Sequence, residues 1–447
     1  MSEEFINRLV STVPNKRQLL IQQMKFYAFI HFGINTFTNR EWGDGQEDES
    51  IFNPKKLDTD QWCEAIKAGG MKGIILTCKH HDGFCLWQTK TTDHSIKNSP
   101  YKDGKGDIVK ELSDSCKKYG LKFGVYLSPW DRNAACYGTE RYNDFYIAQL
   151  TELLSNYGEI FMLWLDGACG AVKDGKKPTE YDFNRIYQTA LSLQPNIILS
   201  NCAPDVRWIG NESGVTRESE WNVVPAFDFG RQNFAATQQH DEDMKKFQKN
   251  CEDSMIRDLG SREFLKNYDK FIWYPAEADV SIRKGWFYHS NEKAKSLREL
   301  MKIYYDTVGS NALFLLNIPP NKSGLIVKSD VSRLVQIGKY LKKEEELAIK
   351  DSKIISANNG FELTLTFPSC IIDRVHMCED TTKSQRVERF SLWAKGKKIY
   401  SGTVIGFSKI AIFEPLYTDK ITLVIDQCRK EPYIEKFTAV KRGAYRL

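Results

Sequence analysis

Phe161-Met162-Leu163-Trp164-Leu165-Asp166-Gly167 is an apolar run that stops on one acidic residue and a glycine. A strand buried on both faces reads as a near-continuous apolar run. When such a strand ends on a carboxylate, the carboxylate stands at the mouth of a parallel barrel, where barrel enzymes keep their chemistry. With 160–166 as one candidate strand, seven more short runs qualify: 26–33, 73–78, 121–127, 196–201, 216–221, 271–275 and 312–317. Amphipathic segments at 60–68, 107–119, 143–156, 181–193 and 292–308 lie between several of them. Thr59 is the expected cap of the first helix, and Gly69-Gly70 stops it. Strand–helix alternation repeated eight times predicts an α/β fold, a (β/α)8-like TIM barrel.

Working outward, the stretch 222–260 is longer and more polar and reads as an irregular excursion over the barrel mouth or a partly helical segment. A helix over 329–347 closes the barrel. From about residue 352 helical periodicity gives way to two-residue alternation in 361–367, 374–377, 386–393, 397–404, 409–413, 420–425 and 433–440. Turn residues such as Asn358-Asn359-Gly360 separate these runs, which predicts a C-terminal antiparallel β-sandwich. The expected division is a catalytic barrel over 1–347 and a β-sandwich over 348–447, packed against it.

Composition narrows the functional class. The 447 residues carry a net charge of +5, without a dense basic run, so no nucleic-acid partner is expected. No window is long and apolar enough to span a membrane. The N-terminus lacks a basic start with an apolar core. The expected compartment is the periplasm or the exterior if a leader was trimmed, and the cytoplasm if the chain is complete. Eleven cysteines without CxxC spacing argue for free, buried thiols. Nine of the ten tryptophans precede residue 290, as a sugar-stacking cleft in the first domain would require, although large cores also use Trp.

The strand ends carry polar and aromatic residues that converge on one rim. His31 ends the first strand, followed by Glu41 and Trp42. His80 and His81 end the second, Tyr126 the third, and Trp164 with Asp166 the fourth. Arg207, Trp208 and Glu212 follow the fifth, and Glu218 and Glu220 lie on the sixth. Glu277, Asp279, Arg283, Trp286 and His289 follow the seventh. Adjacent His80 and His81 on a strand would point to opposite sides, and no HxH or HExxH spacing occurs, so no metal is expected. No GxSxG elbow is present. What remains is a pair of carboxylates from different strands, as glycoside hydrolysis needs: Asp166 with one of Glu212, Glu218 and Glu220. Neutral imidazoles at the rim suit a sugar, because each supplies one donor and one acceptor to ring hydroxyls.

In order, His31-Phe32-Gly33, Glu41-Trp42, Lys79-His80-His81-Asp82-Gly83-Phe84, Gly124-Val125-Tyr126-Leu127-Ser128, Trp164-Leu165-Asp166-Gly167 and Leu315-Leu316-Asn317-Ile318-Pro319-Pro320 resemble the motifs of the α-L-fucosidases of glycoside hydrolase family 29. The resemblance covers nearly the whole chain. It implies a retaining exo-α-L-fucosidase with Asp166 as nucleophile. The segment Arg207-Trp208…Gly210-Asn211-Glu212 is similar to the branch that favours α-1,3/1,4-linked fucose on glycans, which implies Glu212 as acid/base, with Glu218 and Glu220 in reserve. By the same resemblance His31, Glu41, Trp42, His80, His81, Tyr126, Trp164 and Arg207 hold the fucose ring, and Trp286 walls its methyl group. The expected partner is a fucosylated oligosaccharide or glycan, and no cofactor is expected. The two carboxyls should lie roughly 5–5.5 Å apart. Glu212 should start protonated, and Asp166 should be kept ionised by donors among which Arg207 is a candidate. Competing readings are a lectin-like protein that binds fucose without turnover, and another retaining barrel glycosidase such as an α-galactosidase.

Overall fold

A computed structural model describes residues 2–170, 179–226, 258–356 and 361–443. Eight parallel strands form the barrel: β1 (Phe26–Ile30), β2 (Gly73–Lys79), β3 (Lys122–Leu127), β4 (Met162–Leu165), β5 (Ile198–Asn201), β6 (Arg207–Trp208), β9 (Ala276–Ser281) and β10 (Leu313–Asn317). Their order is β5-β4-β3-β2-β1-β10-β9-β6, and a bridge between Ser200 and Val206 brings β5 back beside β6. Alternation divides each strand between two environments. On β1, Tyr27 and Phe29 join the barrel interior with Tyr126, Trp164 and Leu315. Phe26, Ala28 and Ile30 face the helix layer, whose core includes Trp62, Leu112 and Leu150.

The helices form where amphipathic periodicity meets a cap. Asp58 rather than Thr59 caps the helix Thr59–Ala68, its side chain accepting from Gln61 N. Asp107 caps the helix Ile108–Tyr119, and Gly120, left-handed at φ 70, ends it. Ser296 and Glu299 form a capping box, so that helix starts at Leu297 rather than near 292. Two helices unexpected from the sequence, Glu3–Ser11 and Lys16–Met24, precede β1.

Two strand assignments are corrected. Residues 216–221 form no strand, because Glu220 draws the backbone N–H of Arg217 and the guanidinium groups of Arg207 and Arg217 around itself. The sixth barrel strand is instead the short Arg207–Trp208. Phe271–Trp273 (β8) is a strand, but it pairs antiparallel with β7 (Val223–Pro225) outside the barrel. The seventh barrel strand is Ala276–Ser281, whose sequence alternates small residues with acids. It escapes an apolar-run criterion because Glu277 faces inward and is satisfied there by Tyr27 Oη, by Trp164 Nε1 at 2.7 Å and by Ser200 Oγ at 3.1 Å. Most of the expected excursion over 222–260 lies outside the described residues.

The helix Lys328–Leu347 leads into the antiparallel domain, a β-sandwich of β11 (Lys353–Ser356), β12 (Glu362–Glu379), β13 (Val387–Ala394), β14 (Lys397–Gly402), β15 (Lys409–Cys428) and β16 (Ile434–Lys441). β12 and β15 each join two runs that the sequence reading separates. Their ladder skips between Thr366 and Cys370 and between Ile372 and Arg374, which places Pro368 and Pro415 at the interruptions. Proline cannot donate to a ladder, so it is tolerated at a bulge and reads as a break in sequence. The domain packs on the barrel through Arg374 Nη1 and His376 Nε2, each 2.7 Å from Glu344, and through Lys25 Nζ, 3.0 Å from Phe407 O.

Candidate active site

The C-terminal ends of the strands open into a cleft of about 460 Å³. His31, Glu41, Trp42, His80, His81, Tyr126, Trp164, Asp166, Glu212 and Trp286 all line it, so ten of the eleven expected site residues converge. Arg207 is not brought there. Its guanidinium pairs with the fully buried Glu220 and donates to Tyr274 O and Trp221 O behind the wall. Glu220 is thereby committed to an ion pair, and Glu218 does not line the cleft.

Asp166 stands one residue beyond β4, half-buried. Its Oδ2 accepts Tyr126 Oη at 2.8 Å and its Oδ1 accepts the backbone N–H of Ala168 at 3.0 Å. Burial raises its pKa above the ordinary aspartate value, while Tyr126 and the N–H groups of Ala168 and Gly167 pull it back. These donors, not Arg207, attend the carboxylate.

Glu212 sits on a loop with exposed surface, yet its carboxyl reaches into the cleft, and the crowding there governs its ionisation. Loss of hydration first, then the charge of Asp166, raise its pKa to about 7, against a hydrogen bond from the Trp286 side chain. The two carboxyls are therefore electrostatic neighbours.

The three histidines are neutral, and the surrounding bonds assign their tautomers. Asn317 Nδ2 donates to Trp286 O at 2.8 Å and Ser281 Oγ at 3.0 Å, so its Oδ1 accepts His31 Nδ1–H at 2.8 Å. Ser128 Oγ donates to Trp130 O at 2.7 Å, so its 2.7 Å contact with His81 Nδ1 also has the imidazole as donor. His31 and His81 are left with Nε2 as acceptor, and His81 Nε2 lies 3.9 Å from Asp166 Oδ2. Asn35 Nδ2, 3.5 Å from His80 Nδ1, leaves His80 the opposite tautomer with Nε2–H as donor. Burial pushes His31 and His81 down to about 3, and burial with the neighbouring imidazoles takes His80 well below its ordinary value. The expectation that His80 and His81 point apart fails, because β2 ends at Lys79 and alternation ends with it. Their ring centroids are 4.0 Å apart and both line the cleft.

Glu41 organises one wall without facing it alone. Its oxygens accept Trp286 N at 2.7 Å and Phe287 N at 3.2 Å, and His289 Nε2 lies 2.6 Å away. The loop carrying Trp286 is thus built on a carboxylate from the first strand's loop. Trp164 is fixed from below by Glu277.

The structure adds lining residues that the sequence reading does not name, among them Phe29, Asn201, Lys284 and Glu292; Trp208 and Asp279, placed on the rim by the sequence but given no role there, line the cleft as well. Asn201, left-handed at φ 70, is the last residue of β5, and a terminal Asn after Ile-Leu-Ser is the signal that could have found it. Among the described residues, no group of three or more His, Cys, Asp and Glu is arranged to hold a metal ion.

A parallel barrel whose strand ends surround a concave, aromatic-walled cleft with two interacting carboxyls defines a carbohydrate-processing barrel hydrolase. The Alpha-L-fucosidase family model matches residues 7–346. Alpha-L-fucosidase 1 of Arabidopsis thaliana is 36% identical, over 97% of this chain and 90% of its own. A crystal structure from Bacteroides ovatus, provisionally named an α-L-fucosidase, is 43% identical with a TM-score of 0.88, covering 99% of this chain and 76% of that one. A glycoside hydrolase 29 family member from an unknown rumen bacterium is 34% identical with a TM-score of 0.83, over 97% and 78% of the two chains. The chain belongs to the α-L-fucosidase family, glycoside hydrolase family 29, and its activity is α-L-fucoside hydrolysis.

Proposed function

We propose that the protein is a retaining exo-α-L-fucosidase that removes terminal α-1,3/1,4-linked fucose from oligosaccharides or glycoconjugates. The observation that carries this reading is the occupation of one cleft by Asp166, bonded to Tyr126, and Glu212, raised to about 7. Glu212 gives its proton to the glycosidic oxygen as Asp166 Oδ attacks the anomeric carbon. The C–O bond to the leaving group breaks and an ester to Asp166 forms. Glu212, now ionised, takes a proton from water, which attacks the same carbon and releases fucose and the Asp166 carboxylate. His31 and His81 accept from sugar hydroxyls while His80 donates, a division that matches a ring with hydroxyls in several orientations. Glu41, Trp42, Tyr126, Trp164 and Trp286 complete the ring-binding walls. Arg207 contributes by holding the wall that bears Trp208.

The linkage preference is supported by the Arg207-Trp208…Gly210-Asn211-Glu212 segment, whose Trp208 and Glu212 line the cleft together. A division of the chain at 347/348 is supported by its cores: one apolar cluster ends at Tyr340 and the next begins at Ile349. The test is hydrolysis of a panel of linkage-defined fucosyl oligosaccharides, with product configuration followed by NMR. Initial release of α-fucose from α-1,3/1,4 substrates by the wild type, and loss of turnover in Asp166→Ala, are expected. First-formed β-fucose would overturn the retaining mechanism, and preference for an α-1,2 linkage would overturn the branch.

A further inference from the structure

Asp279 has no part in the scheme above, although it lines the same cleft as Glu212 and is only 4% exposed. It projects from β9 two residues beyond Glu277, on the same inward face. Its Oδ1 accepts the indole N–H of Trp208 at 2.7 Å. No Lys, Arg or His pairs with it among the described residues, and the charged groups beside it, Glu212 and Glu277, are both acidic. A carboxylate here would be stripped of water, without a cation, and pressed by the charge of Glu277 and, once it ionises, of Glu212, each of which favours the protonated form. Burial, and next the charge of Glu212, accordingly hold its pKa well above the aspartate range.

Glu277 makes the contrast clear. It is as deeply buried, but three donors from three strands converge on its oxygens. Asp279 receives one indole N–H on Oδ1, and no described side chain donates to Oδ2. With Oδ1 acting as the carbonyl oxygen, Oδ2 is left as the site of the proton, on a side chain that lines the cleft.

We propose that Asp279 meets the substrate as a neutral carboxylic acid, donating Oδ2–H to an oxygen of the leaving-group sugar, and that with Trp208 it forms the subsite for that sugar. This rests on the reading of Glu212 as the acid, which puts the leaving group on the Glu212 side of the cleft. Trp208 supplies a partly exposed aromatic face there, and Asp279 fixes its plane. An asparagine is the neutral isostere: its carbonyl can take the Trp208 N–H and its NH2 can replace the acid O–H. An alanine provides neither.

The experiment compares Asp279→Asn, Asp279→Ala and Glu212→Ala with the wild type on a nitrophenyl α-L-fucoside, which has no leaving-group sugar, and on a Lewis-type trisaccharide. Asp279→Ala should lose about tenfold or more in kcat/KM on the trisaccharide, as expected for one missing hydrogen bond in a dry site, and less than about threefold on the aryl fucoside. Asp279→Asn should stay within about threefold on both, with the basic limb of its pH profile unmoved. Equal losses of Asp279→Ala on the two substrates would make Asp279 merely structural and overturn the inference. A basic limb lowered by about one pH unit in Asp279→Asn would show an ionised Asp279 in the wild type and overturn it equally. If Glu212→Ala keeps wild-type activity on the trisaccharide, the acid assignment fails and this inference falls with it. If Glu212 is needed and Asp279 behaves as structural or ionised, the inference falls alone.

Discussion

Glu212 works at the boundary of its own ionisation. Its pKa is raised, so the free enzyme holds the required proton below about pH 7 and loses it above. We expect kcat/KM on a fucosylated trisaccharide to fall tenfold per pH unit on the alkaline side, and Glu212→Gln to lose that limb. The same substitution should cost about 10²–10⁴-fold on a natural glycan, whose poor leaving group needs the proton most. An unchanged alkaline limb in Glu212→Gln would assign it to another group. Arg207 makes the opposite kind of prediction. Its guanidinium compensates the buried charge of Glu220, and Arg217, 3.3 Å away, is the remaining partner. Arg207→Ala should therefore destabilise the fold by about 3 kcal/mol or more, with little change in KM for an aryl fucoside, which has no leaving-group sugar, in the molecules that stay folded. Calorimetric unfolding beside a KM measurement separates this from a role in binding the sugar, which would raise KM and leave Tm alone.

At the scale of elements, the loop after β9 is a platform. Glu41 draws two backbone N–H groups and His289 toward itself, and Gly285 lets the chain pass close to that carboxylate. A Cβ on Gly285 would fall 2.4 Å from Glu41 Oε1. Relieving that overlap must move either the carboxylate or the loop, at roughly 1–3 kcal/mol, and the loop carries Trp286. Gly285→Ala should raise KM for fucosides about tenfold while Tm changes little, and an unaltered KM would show that the platform yields without disturbing the cleft. The strand β9 itself shows why this region resists reading in sequence. Apolar runs mark strands whose inner face meets carbon. β9 presents Glu277 and Asp279 to indoles and a phenol instead, so its inward positions look like loop residues until the partners from β1, β4 and β6 are brought to them.

At the scale of the molecule, Glu344 joins the barrel's last helix to the β-sandwich. Burial alone would raise its pKa, but His376, Arg374 and Tyr305 outweigh that and hold it below the ordinary glutamate value. The folded protein thus keeps a charge that the unfolded chain begins to lose near about 4.3. Its contribution is full above that pH and disappears as pH falls through the lowered folded value. Glu344→Gln should be less stable than the wild type by about 3 kcal/mol at pH 7, and the gap should close toward pH 3. A gap independent of pH, seen in paired thermal melts, would mean that the shape of Glu344 matters and its charge does not.

The chain's order of residues determined the barrel and the β-sandwich, because those signals are local: apolar runs for strands and two-residue alternation after 352; the ten cleft residues were singled out among the strand-end residues by their resemblance to the family 29 motifs. It could not determine which acids are paired off. Arg207 and Glu212 stand five positions apart in one polar segment, yet one is neutralised behind the wall and the other faces sugar-sized space. That choice, like the split between Glu277 and Asp279, depends on which donors arrive from distant strands. Burial and charge at a carboxyl are sums over neighbours in space, and only folding brings those neighbours together.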